Sequence, residues 1–342
     1  MVSVTRGLPR TLVVMAHDAW ELQFDDRRRA RLAQLSRDGQ VTWTGSLDDP
    51  AVADRLAEVE VLLTGWGTPL IGDDELSRLP SLRAVLHCAG TVRGIVAPAV
   101  WGRGVLVSSS ADLNADPVAE FTIAAMVMAG KKAPFLAADA RRYREDWSYK
   151  TRRGPLSNTG RTVGIVGFSR IGRRVVRLAV DRLPDVTCLV VDPYADPAEV
   201  ARAGAQLIGL AEALPRLDFL SIHAPELPET HHLIGAPQLA ALPDGATLIN
   251  TARGSLVDTA ALEAECVAGR LHAILDVTDP EPLPASSPLY DLPNVMLTPH
   301  VAGSLGSETL AMTDGALDEL ERLVDGRPLA RPVRVEDLAR IA

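Results

Sequence analysis

Residues 166–174 read VGFSRIGRR, a turn in which Gly167, Ser169 and Gly172 take the places of a G-x-G-x-x-G phosphate-binding turn. The spelling is short enough to arise by chance, so its surroundings decide: a strand before it, a helix after it and an acid about 20 residues on. Upstream, RTVGIVG sets Val163, Ile165 and Val166 in the short apolar run of a buried parallel strand. Downstream, Ile171, Val175, Leu178 and Ala179 recur at helical spacing. The next apolar run, VTCLVVD, ends on Asp192, and 192 − 172 = 20 residues past Gly172. An acid there can accept both hydroxyls of an adenosine ribose and repels a 2′-phosphate, so the segment reads as a dinucleotide site favouring NAD over NADP.

The glycines of such a turn differ in role. The first permits the turn, the second lets backbone approach a pyrophosphate, and the third lets helix and strand pack closely. Ser169 alters only the second role. It adds a Cβ and a hydroxyl, and that hydroxyl can meet a diphosphate alongside the amides of the helix N-terminus. The competing reading is a strand-to-helix turn that binds no nucleotide, and Asp192 weighs against it.

At 342 residues the chain exceeds what one core usually supports and reads as about two domains. A net charge of −9 argues against a nucleic-acid surface. Cys88, Cys188 and Cys266 lie far apart without ligand spacing, which predicts free thiols and neither a disulfide framework nor a metal site. The opening MVSVTRGLPRTLVVMAHDAW has too short an apolar run for a secretory signal. No stretch reaches the ~18 apolar residues of a membrane span, so a cytoplasmic protein without a membrane partner is expected.

Through about residue 110, the runs TLVVMA, VEVLLTG, LRAVLHCAG and GVLVSSS alternate with polar helical stretches, the signature of an α/β domain with a parallel sheet. ADPVAEFTIAAMVMAGKK then predicts an apolar helix, capped by Asp116 with Pro117 at its first position, buried on several sides. After an Arg-rich segment holding Arg141, Arg142, Arg144, Arg152 and Arg153, a second set of runs follows the turn: VTCLVVD, LDFLSIHAP, ATLINTARG, HAILDVTD and NVMLTPHVAG. The expected architecture is two Rossmann-like, doubly wound parallel sheets. A nucleotide domain of 113–302 is inserted into a flavodoxin-like domain of 1–112 and 303–342.

The later strand ends carry Arg253 in NTARGSLVD, Glu281 in DVTDPEP and His300 in TPHVAG. Singly, each has an ordinary explanation as a surface ion pair, loop chemistry or a structural histidine. Together, in this order and downstream of the turn, they resemble the D-isomer-specific 2-hydroxyacid dehydrogenase family over most of the chain from about residue 85. The resemblance implies an NAD-dependent reductase of 2-oxo acids with Arg253, Glu281 and His300 as its catalytic residues, Glu281 rather than Asp279 being the acid. The residue types suit that reaction. A guanidinium holds a carboxylate and polarises a carbonyl, a histidine delivers the proton, and a carboxylate on its far nitrogen steadies the imidazolium.

The same resemblance implies further cofactor contacts: the amides of Arg170 and Ile171, Thr251 and Ala252, Asp276 at the nicotinamide carboxamide, Pro225 and Thr230 of the H-x-P loop, and Gly303. It leaves His223, His231 and His232 as structural. Substrate-carboxylate amides are placed at Gly90, Thr91 and Val92, with Arg93 a candidate for a second anionic group on a dicarboxylate or phospho substrate. The Arg-rich segment reads first as a solvated basic face. The apolar helix after Asp116 resembles the family's dimerisation segment, so a homodimer is expected. Two other functions fit the same scaffold, a phosphite-type anion oxidase and a non-catalytic NAD(H)-sensing corepressor-like protein.

Overall fold

The apolar runs form two separate parallel sheets in the computed structural model, which describes residues 7–339. The chain divides into two compact units. One runs to Asn114 and resumes at Ser304; the other is Ala115–Gly303.

In the first unit, β1 (Thr11–Val14), β2 (Trp43–Thr44), β3 (Val61–Thr64), β4 (Ala84–His87) and β5 (Leu106–Ser109) lie in the order β2-β1-β3-β4-β5, all parallel. This is the doubly wound order of flavodoxin-like folds. VLLT and AVLH are buried at every position, because a parallel sheet is covered on both faces. Alternate residues feed opposite layers: Leu12, Val14, Leu62 and Val85 pack on one face, Val13, Leu63, Ala84 and Leu86 on the other. The second layer is closed by the helix Thr309–Val324 through Leu317 and Leu320, and Arg28 fixes that helix by donating to Leu310 O and Asp314.

The second unit holds β6 (Thr162–Val166), β7 (Thr187–Val191), β8 (Ala205–Leu207), β9 (Phe219–Ile222), β10 (Thr247–Asn250), β11 (His272–Leu275) and β12 (Val295–Leu297). Their order is β12-β11-β10-β9-β6-β7-β8, so the direction of winding reverses between β6 and β9. At such a switch point the carboxyl ends of the strands leave a crevice for a ligand.

The helix expected to start at Pro117 starts instead at Ala111 and runs to Gly130 with Pro117 inside it. The first turn forms on Ser110, whose carbonyl accepts from Leu113 N and Asn114 N. Pro117 removes one backbone bond early in a helix that buries Val118, Thr122, Met126 and Ala129, and this packing outweighs the loss. Asp116 is turned sideways to pair with Arg174 rather than cap. No single helix among the described residues is long and apolar enough to cross a membrane.

Three histidines are buried in the strands or at their ends. His87 meets Thr64 Oγ1 at 2.9 Å, His223 meets Ser221 Oγ at 2.8 Å, and the ring of His272 lies 4.6 Å from that of Phe135. Burial is the main cause that depresses them, His87 to about 4 and His223 and His272 to about 3. Between these values and 6.5 the unfolded chain binds protons that the folded one does not, so stability falls as pH drops through that window. Each histidine is expected to cost about 2 kcal/mol between pH 7 and pH 5. Urea midpoints at the two pH values check this, and the loss should shrink in His87→Asn. A midpoint equal at both pH values would contradict it.

Candidate functional site

At the switch point, β6 ends and Gly167 turns with φ +95°. A Cβ on Gly167 would lie 2.6 Å from Ala224 N and 2.7 Å from His223 O, and one on Gly172 would lie 2.0 Å from Gly167 O. Both positions therefore exclude a side chain. Position 169 differs. Ser169 has φ −76°, which any residue adopts, and its hydroxyl donates to His223 O at 3.0 Å. The hydroxyl is thus turned toward the strand end, and the helix Arg170–Arg182 opens without a side-chain cap of its own. A helix N-terminus reached through backbone closely packed on both sides has the shape that admits a diphosphate. Arg170 and Ile171 form its first turn.

Asp192, at the end of β7, reaches the same turn. One carboxylate oxygen accepts from Phe168 N at 2.7 Å and the other from Tyr194 N at 2.8 Å. On the other side of the switch point, Thr230 accepts from Leu227 N and donates to Pro225 O at 2.7 Å, which fixes the H-x-P loop. His223 lies under that loop, buried and neutral, while His231 and His232 stack on each other at 3.9 Å.

β10 ends in Asn250, which organises the loop beyond it. Its side chain accepts from Ala252 N and donates to Arg253 O. Thr251 is buried against Thr122, with the hydroxyls 2.9 Å apart. Gly254 then packs so closely on the β11 exit that a Cβ would sit 2.0 Å from the carbonyl carbon and oxygen of Thr278. Arg253 is therefore held beside the segment that leads to Glu281. Sequence reasoning passed over Asn250 and Gly254, although both stand in the run INTARGSLVD.

Asp276, at the end of β11, is almost fully buried and gathers three donors: Thr298 Oγ1, Val301 N at 2.8 Å and Ala302 N at 2.9 Å. Its own carbonyl accepts from His300 N at 2.9 Å. This closes a turn on which His300 stands with φ +54°. A carboxylate offers about four acceptor sites, so three of them serve this turn before any ligand is met. His300 Nδ1 lies 2.7 Å from Glu281 Oε1, both side chains about half exposed (50% and 44%). Glu281 is the acid that reaches the ring; Asp279 contributes a carbonyl to Thr259. Beside the pair is a cavity of about 620 Å³, lined by Asp276, Thr278, Glu281, Leu283, Tyr290 and His300 among others. Gly303 is the last residue of this unit.

Gly90, Thr91, Val92 and Arg93 belong to the first unit, in the loop after β4. Val92 is buried, Arg93 N donates to Thr91 Oγ1, and the guanidinium of Arg93 donates through Nε and Nη2 to Leu338 O. In the Arg-rich segment, Arg153 makes two 2.7 Å bonds to Asp139, and Arg142 and Arg152 lie over the ring of Tyr143 at 5.6 and 5.7 Å. No cluster of metal-ligating side chains occurs among the described residues.

A family model described as D-isomer specific 2-hydroxyacid dehydrogenase, NAD binding domain, matches residues 123–302. The chain is 34% identical over 279 residues to D-3-phosphoglycerate dehydrogenase of Mycobacterium tuberculosis, covering 80% of this chain and 51% of that one. It is 32% identical over 267 residues to glyoxylate reductase of Aeropyrum pernix, covering 76% and 78%. The chain thus spans about half the length of the D-3-phosphoglycerate dehydrogenases it matches. Among solved structures, TT0316 protein from Thermus thermophilus aligns with a TM-score of 0.73 at 29% identity, covering 95% of this chain and 100% of that one. A phosphoglycerate oxidoreductase from Rhizobium etli shares the fold with a TM-score of 0.81 at 23% identity, covering 96% and 99%.

The turn makes a direct prediction about which positions tolerate change. Ser169→Gly is expected to keep NADH binding within a few-fold, since φ −76° demands no glycine and no contact closer than the hydroxyl bond is lost. Gly172→Ala, with its Cβ inside Gly167 O, is expected to weaken binding at least about tenfold. Fluorescence titration with NADH compares the two.

Proposed function

The chain belongs to the D-isomer specific 2-hydroxyacid dehydrogenase family, and from that premise we propose that it is an NAD-dependent reductase of 2-oxo acids, yielding D-2-hydroxy acids. The observation that carries the proposal is the 2.7 Å contact of His300 Nδ1 with Glu281 Oε1 on an exposed turn. A histidine so paired has its other nitrogen, Nε2, available to move a proton, and the carboxylate stabilises the ring when it is cationic.

The residues present fit a nicotinamide dinucleotide. The Gly167–Gly172 turn offers backbone where side chains would clash, and Asp192 stands at that turn with its carboxylate beside Phe168 N. When bound, the cofactor supplies the hydride. Gly167, Ser169, Arg170, Ile171 and Gly172 would hold its diphosphate, Asp192 its ribose, and Pro225, Thr230, Thr251, Ala252, Asp276 and Gly303 would line its course. Asp276 has a second duty as a positioning residue, because the turn that carries His300 closes on its carboxylate. His300 Nε2 gives a proton to the substrate oxygen, and Nδ1–H donates to Glu281 throughout. Arg253 is assigned the substrate carboxylate and carbonyl, for which its planar donors suit it.

In the first unit, the amides of Gly90, Thr91 and Val92 are assigned to a substrate carboxylate. The commitment of Arg93 to Leu338 O, and of Arg153 to Asp139, supports structural duties for these arginines. Monoanionic 2-oxo acids are therefore the first substrates to try. A dianionic substrate would require Arg93 to leave or share its carbonyl partner, and Arg93→Ala would then impair turnover of dianions more than of monoanions. We extend the proposal to a homodimer, supported by Val127 and Met128, which the helix Ala111–Gly130 leaves 38% exposed.

NADH and NADPH oxidation against glyoxylate, phenylpyruvate, oxaloacetate and phosphonopyruvate tests the activity. Turnover with NADH is expected, falling about 10²–10⁴-fold in His300→Ala. NADH binding without turnover on any of these acids would overturn the reductase in favour of phosphite oxidation or a sensing role. Light scattering tests the assembly, and a monomer at micromolar concentration would remove the dimer.

A further inference from the structure

We propose that the first unit carries a binding site for a phosphate-class oxyanion on the guanidinium groups of Arg10, Arg37 and Arg55. These three residues line a small cavity of about 40 Å³ together with Thr11, Gln40 and Thr42, and no acidic residue is among those that line it. In a chain of net charge −9, a cavity lined by three arginines is a local excess of positive charge, with Glu58 and Glu60 standing behind Arg10 and Arg37 and no acid paired with Arg55 among the described residues. At physiological salt, charges beyond about 8 Å are largely screened, so the local cations rather than the overall charge set the potential there.

The way the three arginines are held supports a ligand rather than a closed ion-pair network. Arg10 Nε is drawn to Glu58 at 3.0 Å, and Arg37 Nη2 to Glu60 at 2.8 Å. Glu60 is itself shared, since it also accepts from Arg10 N and lies 3.5 Å from Arg83 Nε. Arg55 is different: it donates to two neutral oxygens, Thr42 Oγ1 at 2.8 Å and Gln40 Oε1 at 3.3 Å, and forms no ion pair among the described residues. Those two bonds hold its planar fork at the cavity wall with its charge uncompensated. A phosphate oxyanion accepts from such forks two bonds at a time. The volume suits the ion or the head of a phosphomonoester, and an organic body would have to project into solvent.

The cavity is also separate from the residues assigned to substrate and cofactor. Arg10 to Leu12 open β1, Thr42 precedes β2 and Val59 precedes β3, so the cavity lies at the amino-terminal ends of the parallel sheet. The Gly90–Arg93 loop follows the carboxyl end of β4, at the other end of the same sheet. The Gly167–Gly172 turn belongs to the other unit.

Calorimetric titration of the full chain with inorganic phosphate, against chloride at matched ionic strength, reads the site. Saturable one-to-one uptake is expected, weakened about tenfold or more in Arg55→Gln and in Arg37→Gln, each of which removes charge-assisted bonds. Circular dichroism confirms that each variant is folded. Glycerol phosphate binding more tightly than inorganic phosphate would support a metabolite's phosphoryl group as the occupant, and equal binding the free ion. Heats no different from chloride's would overturn the site. So would uptake that survives Arg55→Gln and is lost in Gly172→Ala, which would place the anion at the Gly167–Gly172 turn instead.

Discussion

The backbone of Gly167 lies so close to that of His223 and Ala224 that a single added carbon would be 2.6 Å from the neighbouring amide nitrogen. Much of the second unit is arranged around this approach. β6 and β9 can lie side by side with their exits in contact only if the first exit has no side chain. Once they do, the chain after β6 must swing toward β7 and the chain after β9 toward β10. That reversal sets the helix N-terminus on one side of the crevice and the Pro225–Thr230 loop on the other. Gly172 repeats the constraint one turn into the helix, against the carbonyl of Gly167 itself. The dinucleotide character of the unit is in this sense a packing requirement of its sheet.

Three strands away, the chemistry proposed for His300 rests on a different kind of constraint. His300 adopts φ +54°, a conformation that costs a non-glycine residue roughly 1 kcal/mol or more. It is maintained because Asp276, buried at the end of β11, collects Thr298, Val301 and Ala302 around it. A buried carboxylate is costly unless its acceptors are filled, so the same three hydrogen bonds offset both penalties: the turn satisfies the acid and the acid holds the turn. The imidazole is thereby left half exposed but firmly aimed, with Glu281 on one nitrogen.

Much of this was legible in the sequence because strand ends, glycines and acids sit at fixed offsets. The alternation of apolar runs marks both sheets, and the run to Asp192 points to the turn that its carboxylate reaches. Residues that act through backbone geometry were harder to read. Ser169 stands where a glycine is expected, and only its φ shows that position 169 needs none. Pro117 reads as a helix start, since local preference does not register the burial that carries a helix from Ala111 through it. Asp276 reads as a ligand contact, and its three internal donors come from residues 22 to 26 positions away, beyond any local pattern. The Arg-rich segment gave no sign that Arg153 would find Asp139 or that Tyr143 would collect two guanidiniums.

The contrast between Arg253 and Arg93 shows why charge alone did not separate the arginine proposed to hold substrate from one held by tertiary structure. Both stand in glycine-containing loops that follow strands, Arg93 after β4 and Arg253 after β10. Arg93 donates twice to Leu338 O, a carbonyl that is distant in sequence, and so ties down the segment Val335–Ala339. Arg253 donates through Nη1 to the carbonyl of its own neighbour, Ala252, while its backbone is clamped by Asn250 and by the close packing of Gly254 on Thr278. The first arrangement commits the side chain to tertiary structure. The second fixes the main chain and leaves most of the fork's donors for a ligand, the division of labour that the bidentate carboxylate recognition proposed for Arg253 requires.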